Sequence, residues 1–103
     1  MVSRGEVWWY DHREAGRRPF LILTRDAALG VLNQVLAVAI TRRRRGIPTE
    51  VDLDEGDGLP SPCVATLDNV YLIRPALCVG RITTLGPERM HDVCRALHAA
   101  VDC

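Results

Sequence analysis

The 103-residue sequence contains no lysine, so every positive side chain is a guanidinium, a planar fork that grips phosphate at two points. A GC-rich genome suffices to explain that absence, and the information lies in where the arginines stand. Long apolar runs are missing too: the longest clean ones, "FLIL" and "VLAVAI", fall far short of a membrane span. The four cysteines, Cys63, Cys78, Cys94 and Cys103, show no CxxC spacing, and the N-terminal segment has no apolar signal core. Reduced thiols in a cytoplasmic protein are expected rather than a disulfide framework. The length excludes two domains and allows one, residues 1–103, with a core that needs neither metal nor disulfide.

Net charge is zero, which excludes a uniformly basic nucleic-acid binder. The distribution is nevertheless strongly dipolar. Nine arginines face four acids from Met1 to Arg45, and the remainder holds four arginines against nine acids. Local potential, not total charge, decides what docks on a surface.

"GEVWWYDH" alternates with period two, placing Val7 and Trp9 on one face and Glu6, Trp8 and Tyr10 on the other, and reads as a strand. A polar loop leads to "PFLIL", a strand that tolerates Pro19 at its start. "RDAALGVLNQ" is a connection with at most one helical turn. "VLAVAIT" is a continuous β-branched run and is expected to be the central strand. "TEVDL" alternates again, "DEGDGLPSP" is expected to be an exposed loop, and "CVATLDNVYLI" and "VGRITTL" supply the last strands. From Pro87 the period becomes helical, with Met90, Val93, Cys94, Leu97 and Val101 on one stripe. A mainly β, α+β architecture follows: a small barrel with one C-terminal amphipathic helix.

Two constellations look like metal sites and fall short, one on spacing and one on ligand number. A calcium loop starting at Asp52 needs a ligand where Gly56 stands, glycine where Asp57 stands and glutamate where Cys63 stands. His91, Cys94 and His98 share a helix face but lack a fourth ligand, and the spacing puts Cys94 on the apolar stripe. No metal or other cofactor is expected. The arginines are more informative. Arg17 and Arg18 directly precede Pro19 and a buried strand, and Thr41 closes the central strand just before Arg42, Arg43, Arg44 and Arg45. Groups on rigid strand ends are placed more accurately than groups on loops, so both ends are expected to feed one anion-binding site.

In order and spacing, "RGEVWW", "RRP" before an apolar strand, "AIT" closing the next, "PTEVDL", "LDN" and "GRITTLGPERMHDVCRAL" resemble the MazF/PemK toxin endoribonucleases of type II toxin-antitoxin systems. The resemblance spans essentially the whole chain. It implies an SH3-like barrel of the CcdB/PemK kind, a homodimer, metal-independent cleavage of single-stranded RNA at short motifs, and a MazE-like antitoxin partner with a disordered acidic tail. It assigns catalysis to Arg18 and Thr41. The first loop is shorter than the family's usual one, and Asn69 is followed by "VYL" where many members carry glutamine and "IRT".

Cleavage without metal uses the 2′-hydroxyl of RNA as nucleophile and leaves a 2′,3′-cyclic phosphate and a 5′-hydroxyl. The protein must stabilise phosphoryl charge and move two protons. Arginine is a poor base at neutral pH, so His12, in the first loop, is the candidate acid or base, and Asp68 is a candidate either to orient His12 or Arg18 or to cap a turn. Arg13, Arg17, Arg42, Arg43, Asp68, Asn69 and Tyr71 are expected to bind RNA, with Arg44 and Arg45 sharing in backbone steering; Tyr10, Trp8 and Trp9 are further stacking candidates, the tryptophans being better suited to the barrel core or a dimer interface. Two alternatives stand beside this reading: a gyrase-directed toxin on the same fold, and a non-catalytic RNA- or antitoxin-binding module.

Overall fold

Period-two alternation converts directly into strands: β1 (Glu6–His12), β2 (Gly16–Ile22), β3 (Val35–Thr41), β4 (Glu50–Leu53), β5 (Cys63–Ile73) and β6 (Cys78–Thr84). A one-turn helix, α1 (Asp26–Leu29), follows β2. The helix α2 (Pro87–Val101) follows β6, with Pro87 in its first turn. The computed structural model describes residues 1–12 and 16–103, so Arg13 lies outside the described residues. His12 belongs to the end of β1 rather than to the loop.

The strands form one six-stranded sheet in the order β4-β5-β3-β2-β1-β6, with every pairing antiparallel. β3 has neighbours on both edges and apolar residues on both faces, which is why its sequence is apolar without alternation. The "CVATLDNVYLI" segment is one strand of 11 residues.

The expected barrel is an open one, for no ladder joins β4 to β6 among the described residues. Side chains bridge that seam instead. Thr83 Oγ1 on β6 donates to the Asp57 carbonyl at 2.9 Å, and Arg89 Nε on α2 donates to the Asp57 carboxylate at 2.9 Å. Gly58 makes this approach possible: its φ is +93°, and a Cβ there would overlap the Thr83 hydroxyl. The acidic segment is therefore not a freely solvated loop. Its Glu55–Asp57 portion is a 3₁₀ turn capped by Asp54, and Leu59 just beyond it is buried.

Alternation divides the core into two layers. Leu21, Val38, Ile40, Leu53 and Leu67 pack with Val93 and Ala96 of α2 on one face of the sheet. Phe20, Ile22, Val35, Ala37, Ile73 and Tyr10 pack on the other. The buried arc of α2 runs through Met90, Val93, Ala96, Leu97 and Ala100. Cys94 and Val101 fall just outside it and are exposed, contrary to the stripe drawn from spacing. The Cys94 sulfur accepts a hydrogen bond from Arg4 at 3.3 Å.

One irregularity positions the site. Between the pairs Val38↔Val70 and Ile40↔Ala65, β3 contributes only Ala39 whereas β5 contributes 66–69. The excess backbone bows out of the ladder, as bulges do where side chains must be re-aimed. Leu67 turns inward and is 1% exposed, while Asp68 and Asn69 face solvent.

Candidate active site

Arg18 on β2 and Thr41 at the end of β3 line a single cavity of about 210 Å³. Its remaining walls come from the bowed part of β5, with Thr66, Asp68, Asn69 and Tyr71, and from Arg43, Arg45 and Glu50. The two residues singled out by sequence therefore do converge, but only Thr41 closes its strand: β2 starts at Gly16, so Arg17 and Arg18 stand inside the ladder with β1 and Pro19 is not the strand's first residue. Arg45, expected with the rest of its run to steer the RNA backbone, belongs to this wall, as do Glu50 and Thr66, which were not among the expected site residues. Arg45 was visible as part of the basic run, and Glu50 as the outward position beside Val51.

Arg18 is exposed, and among the described residues it makes no ion pair. Pro19 follows it directly and Tyr10 stands opposite it across the ladder, so its stem starts from rigid backbone. Thr41 is half-buried, and its Oγ1 accepts the Arg43 N–H at 3.2 Å. With the oxygen engaged as an acceptor, the hydroxyl proton is directed elsewhere, which suits a donor to a phosphoryl oxygen.

The arginine run is sorted by its neighbours. Arg44 grips Asp52 on β4 with two nitrogens at 2.8 and 3.1 Å, so its charge is already matched. Hydrogen bonding to Asp52 raises its already high pKa further. Glu50 receives the backbone N–H groups of Arg45 and Gly46, each at 2.9 Å. Arg43 and Arg45 consequently face the cavity, and Arg42 lies at the mouth of a neighbouring one.

Asp68 accepts a 2.5 Å hydrogen bond from the Thr49 hydroxyl, which ties the bowed segment to the loop before β4. Asn69 Nδ2 reaches Thr66 Oγ1 at 3.5 Å, and Thr66 Oγ1 donates to the Ala39 carbonyl at 3.3 Å. Tyr71 is 44% exposed and packs edge-on against Phe20, whose other edge meets Tyr10. Tyr10 is buried and unavailable for stacking on a base. Trp8 donates its indole N–H to Glu6 and packs against the core, which removes it from that role too.

His12 pairs with Gly16 and so shares the sheet face of Tyr10 and Arg18, one diagonal step from Arg18. It is half-buried and meets Tyr10 edge-on, with centroids 6.5 Å apart, and is not part of the cavity wall. Arg17, paired with Asp11, lies on the opposite face. Among the described residues, no three His, Cys, Asp or Glu side chains are grouped as a metal site would need. No described helix is long and apolar enough to cross a membrane.

A six-stranded antiparallel sheet with a C-terminal helix is the architecture of MazF toxin structures. The family described as "PemK-like, MazF-like toxin of type II toxin-antitoxin system" matches residues 3–101, and the chain belongs to it. The curated protein "Probable endoribonuclease MazF5" of Mycobacterium tuberculosis (strain ATCC 25618 / H37Rv) is 42% identical, over 100% of this chain and 95% of the relative. "Probable endoribonuclease MazF2" of the same strain is 39% identical over 99% of this chain and 100% of its own length. Among solved structures, "Mycobacterium tuberculosis toxin MazF-mt6" superposes with a TM-score of 0.86 at 30% identity, covering 94% of this chain and 96% of that one. "Endoribonuclease in complex with its cognate antitoxin from Mycobacterial species" superposes with a TM-score of 0.90 at 26% identity, covering 99% and 96%.

Proposed function

We propose that the chain is a single-domain toxin, residues 1–103, that cleaves single-stranded RNA at a short sequence motif by metal-independent transesterification. The observation that carries this reading is the convergence of Arg18, which has no ion pair among the described residues, and an oriented Thr41 hydroxyl on one cavity. Arg18 grips the scissile phosphate through two N–H groups while Thr41 donates to a non-bridging oxygen, both aimed at charge that grows in the transition state. The 2′-hydroxyl attacks the adjacent phosphorus and the 5′-oxygen leaves, giving 2′,3′-cyclic phosphate and 5′-hydroxyl ends. His12, diagonal to Arg18, is the residue suited to proton transfer. Arg13, Arg17, Arg42, Arg43 and Arg45 supply backbone attraction, and Asp68, Asn69 and Tyr71 contact bases.

In the cell the protein is cytoplasmic, homodimeric and held inactive by a cognate antitoxin with an acidic tail that occupies the cationic cavity. The superposing mycobacterial endoribonuclease, solved in complex with its cognate antitoxin, supports that partner class. Leu36 and Leu72, exposed cross-strand neighbours, are apolar surface that a second copy would cover.

The test is mass analysis of the ends made from a mixed-sequence single-stranded RNA in chelator, with Arg18→Ala and Thr41→Ala alongside. Cyclic-phosphate ends that fall by about 10²–10³ in rate in each variant are the expected result. Intact RNA with folded, antitoxin-free wild-type protein would replace the reading with a non-catalytic or gyrase-directed one.

A further inference from the structure

A second cavity of about 220 Å³ opens on the other side of Thr41. It shares Ile40 and Thr41 with the first, but its character is opposite: Trp9, Pro19, Ile82 and Leu59 give it largely apolar walls. Trp9 and Pro19 are direct cross-strand partners, so indole and pyrrolidine stand side by side on this face. Cys63 adds a small group, kept neutral because burial pushes its thiol pKa up. Arg42 stands at this cavity and Arg43 at the first, so consecutive arginines part to either side of Thr41. Arg17 is on the same sheet face as Trp9 and Pro19.

Resting on the reading just given, we infer that this apolar cavity takes the nucleobase of one nucleotide flanking the phosphate held by Arg18 and Thr41. An RNA strand crossing Thr41 has a cation for its backbone on each side of the scissile bond. On one side the base meets hydrogen-bonding groups, Asp68, Asn69 and Thr66. On the other it meets largely apolar walls, and every base has a π-face that such walls accept. The two cavities thus divide the work. The polar one selects the motif, and the apolar one holds the neighbouring base in a sequence-tolerant way, drawing the strand taut across Thr41.

The test is an abasic scan. A short RNA containing the cleavage motif is made with the base removed at each nucleotide flanking the scissile phosphate in turn. Each version is cleaved by wild type, Trp9→Ala and Ser61→Trp. Ser61 lies in the loop at this cavity, so tryptophan there fills it from outside the sheet. With wild type, base removal at one flank should cost on the order of 10- to 100-fold in kcat/KM. In both variants the intact RNA should show that same loss, and removal of this base should cost nothing more. The penalty at the opposite flank should persist. A penalty that remains undiminished in both variants, or no penalty in wild type, overturns the inference while leaving the endoribonuclease reading intact. Failure of folded wild type to cut any RNA overturns both. Should Trp9→Ala not fold, judged by circular dichroism, Ser61→Trp decides alone.

Discussion

The carboxylate of Glu50 carries the backbone of Arg45, receiving its N–H at 2.9 Å on one oxygen and 3.2 Å on the other. Through this contact an acid shapes a cationic site. Glu50→Ala frees the 42–46 segment, and the displacement of Arg43 and Arg45 should lower kcat/KM for RNA by about 10- to 100-fold. Simple electrostatics predicts the opposite sign, since removing an acid from an anion site favours anion binding. Glu50→Gln, which keeps one acceptor oxygen, should lie between wild type and Glu50→Ala.

The arginines of the run should separate in a salt titration of binding to a non-cleavable oligonucleotide. Arg43→Ala and Arg45→Ala should each reduce the slope of log affinity against log salt by about 0.7, the single-strand value per phosphate contact. Arg44→Ala should change it less, because Asp52 already holds that guanidinium.

Acidification should loosen the fold at two identifiable carboxylates. Burial works against ionisation of Glu6, but hydrogen bonds from Trp8, the Ser3 N–H and Arg81 together hold its pKa below the ordinary value. Asp57 follows the same pattern, burial being outweighed by Arg89 and the Asp54 N–H. A depressed folded-state pKa means that the stabilisation is complete above the unfolded-state value and is lost as pH falls through the folded one. Thermal midpoints should therefore be level near neutrality and fall below the ordinary carboxylate range. A Glu6→Gln, Asp57→Asn variant should start lower and show a shallower acid limb.

Two substitutions should separate core from seam. Leu67→Ala empties a site that is 1% exposed between sheet and α2 and should cost about 2–5 kcal/mol in denaturant unfolding. Gly58→Ala puts a methyl against Thr83 on a left-handed backbone and should cost about 1–3 kcal/mol. Its loss should be partly recovered by Thr83→Ala, which removes the hydroxyl oxygen that the new methyl would overlap most, and Leu67→Ala should show no such rescue.

The strands were legible because alternation is a local signal: Val7, Leu21, Val38, Val51 and Leu53 face one layer as their period dictates. Arg18 and Thr41 were legible for a related reason, since each sits where a buried run meets solvent. What could not be read was anything set by distant pairing. Glu50, by contrast, clamps backbone only four and five residues away, a turn geometry that alternation does not report. Tyr10 resembled a stacking group, but the opposite layer of the sheet covers it, whereas Trp8 packs against that layer as expected of the tryptophans. The edge of the buried arc on α2 misplaced Cys94 by one position, because spacing gives the width of a helical stripe more reliably than its centre.

Glu6 pairs with Thr84, so the first strand finds its second neighbour only when the last strand is made. At about 5–20 residues per second, the ribosome emits the intervening chain over on the order of several seconds. During that time β2, β3 and β5, bearing Arg18, Thr41 and Asp68, can pair among themselves while β1 presents a bare edge. A nascent chain of this topology can form its β1–β2 pair first, and its sheet is complete only once β6 has been synthesised.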